Sequence, residues 1–247
     1  MKTIIVIGGT KGVGNKIVLS CLNKGYNVVF VGRNDLKANE ILEKYNNKKC
    51  KYFSIDISNV EACKEVIDYC WETYGRIDGY IHYAGITPIA SLTDCTELVY
   101  DQVFGINLKS AFFCSQYIIQ YMVKCGGGSI VYFGSAHMDC GQQDRAPYAI
   151  TKSALNTLST HIAHHYAKYK IRSNYLVMGW TDTEGELELR NSQGMGQDEL
   201  KDMASKIIPM GRMLNVNDPV PSVMHLLSDE SEMITGSIIR ITGGEFI

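Results

Sequence analysis

Short unbroken apolar runs alternate with amphipathic stretches along most of the chain. Residues 3 to 7, Thr-Ile-Ile-Val-Ile, end in Gly8-Gly9 without any polar alternation. That is the pattern of a strand buried on both faces of a parallel sheet. The same signal returns at 27–31, 51–55, 79–82, 129–133, 171–177 and 237–241. Helices are predicted between these runs, over 12–24, 35–45, 60–74, 107–123, 148–168 and 218–227. In the third of them Val60, Cys63, Ile67, Cys70, Trp71 and Tyr74 recur at helical spacing before Gly75 closes it. Strands alternating with helices predict an α/β fold, a doubly wound parallel sheet of seven strands with helices on both faces. Residues 181–210 are polar and contain glycines, too long for a bare connection, and are predicted to form a mobile lid with short helices of their own. With no repeat or linker, residues 1–247 read as one domain.

Composition narrows the class. The 247 residues are 45% hydrophobic and 20% charged, enough for a sizeable core. The formal net charge of −2 gives no general pull toward nucleic acid or an anionic membrane, so neither is an expected partner. Ile4 to Ile7 is too short for a signal-peptide core, and no later stretch approaches a membrane span. Eight cysteines without a C-x-x-C pair read as small buried hydrophobes of a reducing, cytoplasmic protein. His161, His164 and His165 share one helix face, but no carboxylate or cysteine cluster supports them, and no metal site is expected.

Chemistry concentrates in a few places. Gly8-Gly9-Thr10-Lys11-Gly12-Val13-Gly14 lies between the first strand and the first helix, where glycines permit a tight turn and close backbone approach to a pyrophosphate. At the end of the second strand, Gly32-Arg33-Asn34 lacks the acid that hydrogen-bonds the ribose hydroxyls of NAD. Arg33, with Lys11, suits a 2′-phosphate instead, which favours NADP(H) over NAD(H); ordinary solvated charges remain the plain alternative. Tyr148 and Lys152, one helical turn apart, share a face. A free tyrosine titrates at about 10, and lowering it by three units with the nearby ammonium requires about 4 kcal/mol. Such a tyrosine would act as general acid toward a carbonyl and general base toward an alcohol.

These motifs in this order resemble the short-chain dehydrogenase/reductase family across nearly the whole chain. Besides the glycine turn and Tyr148-x-x-x-Lys152, the resemblance rests on Asp56, Ala84-Gly85, Asn107, Ser135, Gly179 to Thr183 and Thr242-Gly243-Gly244. It implies a Rossmann-like fold and an NADP(H)-preferring oxidoreductase, a ketoreductase transferring hydride between nicotinamide and a carbonyl or secondary alcohol of a small molecule. Asn107, Ser135, Tyr148 and Lys152 would be catalytic. Gly8, Thr10, Lys11, Gly12, Val13, Gly14, Arg33, Asn34, Asp56, Ile57, Ala84, Gly85, Tyr148, Lys152, Thr181 and Thr183 would hold the cofactor. An NAD-dependent alcohol dehydrogenase and a non-catalytic dinucleotide-binding regulator stay open.

Two departures stand out: His82-Tyr83 replaces the family's Asn-Asn, and Met178 its proline. His137, Asp139, Gln142, Gln143 and Arg145 are candidate substrate contacts or an exposed loop, and Trp180, Glu186, Leu187 and Leu189 are lid candidates. The resemblance also implies a homo-oligomer, a tetramer or dimer, with Glu245-Phe246-Ile247 suited to burial against a neighbour.

Overall fold

The computed structural model describes residues 1–45, 49–139, 141–192 and 194–245, without the side chains of Glu188, Leu189 and Ser192. Cys140, Phe246, Ile247 and the side chain of Leu189 therefore lie outside the described residues. In chain order the elements begin with β1 (Thr3–Ile7), α1 (Gly12–Asn23), β2 (Asn27–Val31), α2 (Asp35–Lys44), β3 (Cys50–Phe53), α3 (Val60–Tyr74) and β4 (Gly79–His82). They continue with α4 (Glu97–Phe104), a π-helical turn at Gly105–Lys109, α5 (Ser110–Cys125), β5 (Gly128–Phe133), α6 (Ala146–His165) and β6 (Ile171–Met178). Two short helices, α7 (Glu184–Ser192) and α8 (Gln197–Ile207), then precede α9 (Val220–Leu226) and β7 (Ile238–Ile241).

The strands form one seven-stranded parallel sheet in the order β3-β2-β1-β4-β5-β6-β7. Both faces of the inner strands are covered, which is why β1, β2 and β4 to β6 are buried almost throughout, whereas the edge strands β3 and β7 keep exposed positions. In β1, Ile5 and Ile7 join the core under α3, α5 and α6, while Ile4 and Val6 join the core under α1, α2 and α9. The chain winds outward from β1 to β3, then returns to place β4 on the other side of β1. That reversal opens a crevice at the carboxyl ends of β1 and β4.

Several expected boundaries shift. The helix expected from 107 begins at Glu97 and is broken by the π turn holding Asn107, a local widening that frees backbone groups. Strand β3 stops at Phe53 rather than 55, where the Phe53 carbonyl accepts from Gly32 N–H at 3.2 Å. Helix α6 starts two residues early, with Pro147 in its first turn, and ends at His165. Within 181–210, α7 and α8 have a small core of their own, Leu200, Ala204, Ile208 and Met213 against Trp180, Leu187 and Met195.

Candidate active site

A cleft of about 1400 Å3 runs along the carboxyl end of the sheet. Its floor is the glycine turn, pressed against the loop after β4. A Cβ at Gly8, whose φ is +93°, would stand 2.8 Å from Ala84 N, and one at Gly14 would stand 2.0 Å from the Gly8 carbonyl. Gly12 by contrast opens on free space, its nearest neighbours being the Tyr83 hydroxyl at 3.5 Å and Thr183 Cγ2 at 3.6 Å. Such a cradle accepts an extended diphosphate over bare backbone. Val13 turns its side chain into the core, and its N–H donates to the Tyr83 hydroxyl. Val13 and Gly14 thus sit behind the cleft wall, while Gly8, Thr10, Lys11 and Gly12 line it.

One end of the cleft carries Lys11 and Arg33, with the carboxylates of Asp35 and Asp56 beside them. Arg33 is exposed on its rim and makes no hydrogen bond or ion pair among the described residues, but its charge helps hold the Asp56 carboxyl below its ordinary range. The larger causes of that lowering are the Ser58 N–H and hydroxyl, both donating to Asp56 Oδ1, at 2.9 and 2.8 Å. Asn34 accepts from Lys37 N–H at 3.0 Å and so caps α2 while it lines the cleft. Ile57, Ala84 and Gly85 line the wall between the two ends.

The other end gathers the expected proton-transfer residues. Ser135, directly after β5, and Tyr148 and Lys152 on α6 all face the cleft. Lys152 is buried and donates from Nζ to the Phe133 carbonyl at 2.8 Å, and Nζ stands 5.6 Å from the Tyr148 ring centroid. Burial lowers its ammonium to about 8. Asn107 lies beneath the floor: Oδ1 accepts from Ile86 N–H at 2.8 Å, and Nδ2 donates to the Ile86 carbonyl at 2.9 Å and Thr151 Oγ1 at 3.2 Å. A Cβ on Gly85 would be 3.3 Å from Asn107 Oδ1 and 3.4 Å from Lys152 Nζ, so the two side chains converge on the same backbone position.

One expectation is corrected. Tyr148 does not titrate below its ordinary value through Lys152. Its half-buried setting raises it, and the groups that pull it back down are Ser135, by a side-chain hydrogen bond, and the Arg145 cation, with Glu186 opposing them. One N–H of the Lys152 ammonium goes to the Phe133 carbonyl.

The sequence departure at His82 is a buried polar chain. His82 Nδ1 meets the Tyr80 hydroxyl at 2.6 Å, Nε2 meets Ser110 Oγ at 3.3 Å, and Ser110 donates to the Ile106 carbonyl at 2.5 Å. Burial, with Lys152 nearby, lowers His82 to about 3 and keeps it neutral. The chain ties β4 to the π turn that carries Asn107. Tyr83 packs edge-on against Phe133, centroids 5.1 Å apart, over the glycine turn.

The remaining candidates separate. His137, Gln142 and Arg145 line the cleft, whereas Asp139 is exposed and pairs with Arg240 at 3.0 Å and Gln143 lies in a neighbouring groove. Trp180 Nε1 and Arg190 Nε both donate to Glu186 Oε1 at 2.7 Å, and Arg190 stacks over the Trp180 ring at 5.2 Å. Glu245 Oε2 accepts from Trp180 N–H at 2.9 Å. Thr181 and Thr183 line the cleft above the turn. Arg190 carried no signal in the sequence beyond its helical spacing from Glu186. Among the described residues, no group of three or more His, Cys, Asp or Glu is placed to hold a metal, and no helix is long and apolar enough to cross a membrane.

A family model described as enoyl-(acyl carrier protein) reductase matches residues 8–245. An uncharacterized oxidoreductase of Thermotoga maritima is 29% identical over 243 residues, 98% of this chain and 96% of that protein. A 3-oxoacyl-[acyl-carrier-protein] reductase of Staphylococcus epidermidis is 29% identical over 250 residues, 100% of this chain and 99% of that protein. The solved structure of ElxO with NADP bound superposes with a TM-score of 0.88 at 26% identity, covering 98% of each chain.

Proposed function

Because the chain belongs to the short-chain dehydrogenase/reductase family and is an oxidoreductase of CH–OH and C=O groups, we propose that it is an NADP(H)-preferring reductase of a small-molecule ketone. The family binds a nicotinamide dinucleotide, and the cleft fits one: open backbone at Gly12, cations at one end, proton donors at the other. The observation that carries the reading is Ser135, Tyr148 and Lys152 facing one end of a cleft whose far end presents Lys11 and Arg33. That ElxO binds NADP supports the cofactor preference. Lys11 and Arg33 would meet the 2′-phosphate, with Thr10, Asn34, Asp56, Ile57 and Ala84 around the adenine half. The bare backbone at Gly12 would face the diphosphate, with Val13 and Gly14 behind it shaping the turn, and Lys152, Thr181 and Thr183 would face the nicotinamide half.

Bound NADPH supplies a hydride to the carbonyl carbon. The protein positions that carbon and manages one proton. The Ser135 hydroxyl holds the substrate oxygen, where negative charge develops, and the Tyr148 hydroxyl delivers its proton to the same atom. Ser135 and Arg145 stabilise the phenolate that remains. Asn107 braces the Ile86 backbone beside Lys152, the place from which Tyr148 regains a proton.

The whole described chain serves this one catalytic unit, with residues 181–210 as its lid: α7 and α8 hold their own core and turn Glu186, Met203 and Ile207 toward the cleft, beside Trp180. Exposed Leu98, Tyr100 and Phe112 on α4 and α5, with Ile150 on α6, support a homo-oligomer assembled through these helices. The functional test is oxidation of NADPH and of NADH with a panel of ketones. Turnover with NADPH at least about tenfold favoured in kcat/KM supports the reading. Tight dinucleotide binding without turnover on any ketone would leave a binding protein instead.

A further inference from the structure

Arg145 is a cation at the substrate end of the cleft that serves the proton step only through its field on Tyr148, which leaves its hydrogen-bond donors unused by that step. It is only 7% exposed, yet lines the cleft from the N-cap of α6, three residues before Tyr148. Nη1 donates to the Thr87 carbonyl at 3.2 Å, and the carboxylate paired with it among the described residues is Asp144, with Oδ1 at 4.0 Å from Nε and a side chain 47% exposed. The only sealed side-chain polar atom without a partner among the described residues is Asn156 Oδ1, so the unpartnered donors of Arg145 reach the solvent of the cleft. Its backbone is fixed. Ala90 N–H donates to the Asp144 carbonyl at 2.8 Å and Ala146 N–H to the Ala90 carbonyl at 3.1 Å, clamping residues 87–90 against the start of α6.

Asp144 compensates this charge only weakly, from 4.0 Å and from a side chain that is 47% exposed. Glu186, the carboxylate facing the same end, is held at Oε1 by Arg190 and Trp180. His137 is kept toward its neutral form by burial first and by Arg145 second, against Asp144 and Glu186. A guanidinium so nearly buried is costly unless an anion completes it, and its planar fork fits a carboxylate through two parallel hydrogen bonds. A strut serving only to hold Thr87 needs one donor and no charge.

We propose that Arg145 binds the carboxylate of the substrate, so that the ketone reduced here is a short oxo acid. The inference rests on the reductase reading for its reaction: the carbonyl carbon gains hydride from NADPH, its oxygen gains the proton of Tyr148, and a hydroxy acid and NADP leave. Arg145 caps the start of α6 three residues before Tyr148 and both line the same end of the cleft, so the carboxylate is placed near the reacting carbonyl, as in a short oxo acid.

The test compares pyruvate, acetoacetate and levulinate with their methyl esters, which differ in charge and little in shape. At least one acid is expected to exceed its ester tenfold or more in kcat/KM with NADPH. Arg145→Gln is expected to bring that ratio near one, and Arg145→Lys, which keeps the charge without the fork, to leave part of it. Esters matching or exceeding all three acids, or an acid preference surviving Arg145→Gln, overturns the proposal. The same pairs are titrated calorimetrically into NADPH-loaded Tyr148→Phe protein, with and without Arg145→Gln. Acid-selective binding that requires Arg145 but accompanies no turnover in the wild type sinks the reductase reading and leaves the anion site standing. Binding without acid selectivity overturns the anion site itself.

Discussion

Lys152 Nζ donates to the Phe133 carbonyl at 2.8 Å from a buried position, so its ammonium is anchored to the end of β5. Burial brings it from 10.5 to about 8, a difference of about 3 kcal/mol at 1.36 kcal/mol per unit. Between these values the unfolded chain holds more proton than the folded one. Stability from this group therefore rises as pH climbs from 8 toward 10.5, and at pH 7 the folded state carries the full burial cost. Lys152→Met removes that cost and forfeits one hydrogen bond, whose loss is worth about 1–3 kcal/mol. The variant should melt at or above the wild-type temperature in calorimetry at pH 7 while losing at least about 100-fold in kcat. Wild-type kcat should fall above pH 8 as the ammonium discharges.

His82 gives the opposite end of the pH scale. Its folded value of about 3 lies below the ordinary 6.5, so the stability it permits is complete above pH 6.5 and is lost as pH falls toward 3. Each unit in that window costs about 1.4 kcal/mol. In urea titrations at pH 7 and pH 5, His82→Asn should show a smaller loss of unfolding free energy than the wild type. An equal loss would mean that His82 is not the group being charged.

Among the described residues Arg33 makes no direct polar bond, and it acts on the Asp56 carboxylate through its field. If it receives a 2′-phosphate, Arg33→Ala forfeits a charge-assisted contact of about 1.5–3 kcal/mol, or about 10–100-fold in kcat/KM for NADPH. The NADH value should change less than threefold. Lys11→Ala should move the same ratio in the same direction. Equal losses with both cofactors would place Arg33 outside phosphate recognition.

What could be read from the sequence depended on how local the determinants were. The inner strands were legible because both faces are covered, which leaves runs such as Ile4 to Ile7 without polar interruption. The glycine turn and Tyr148-x-x-x-Lys152 carry their chemistry in spacing alone. Helix α4 was hidden because Leu98 and Tyr100 face outward, 78% and 47% exposed, and blur its apolar stripe. His82 could not be assigned because Tyr80 and Ser110 meet it only after β4 packs against the π turn. The burial of Arg145 depends on residues 87–90 folding back from far along the chain. The raised setting of Tyr148 followed from the same cause, since packing decides desolvation.

The proton donor is tested most directly by comparing NADPH oxidation in wild-type protein and Tyr148→Phe, using a ketone the wild type reduces, with the NADPH Kd measured by calorimetry on both. The expected result is a fall in kcat of about 10²–10⁴-fold with Kd unchanged within threefold. A Tyr148→Phe protein that keeps its kcat within threefold would contradict it.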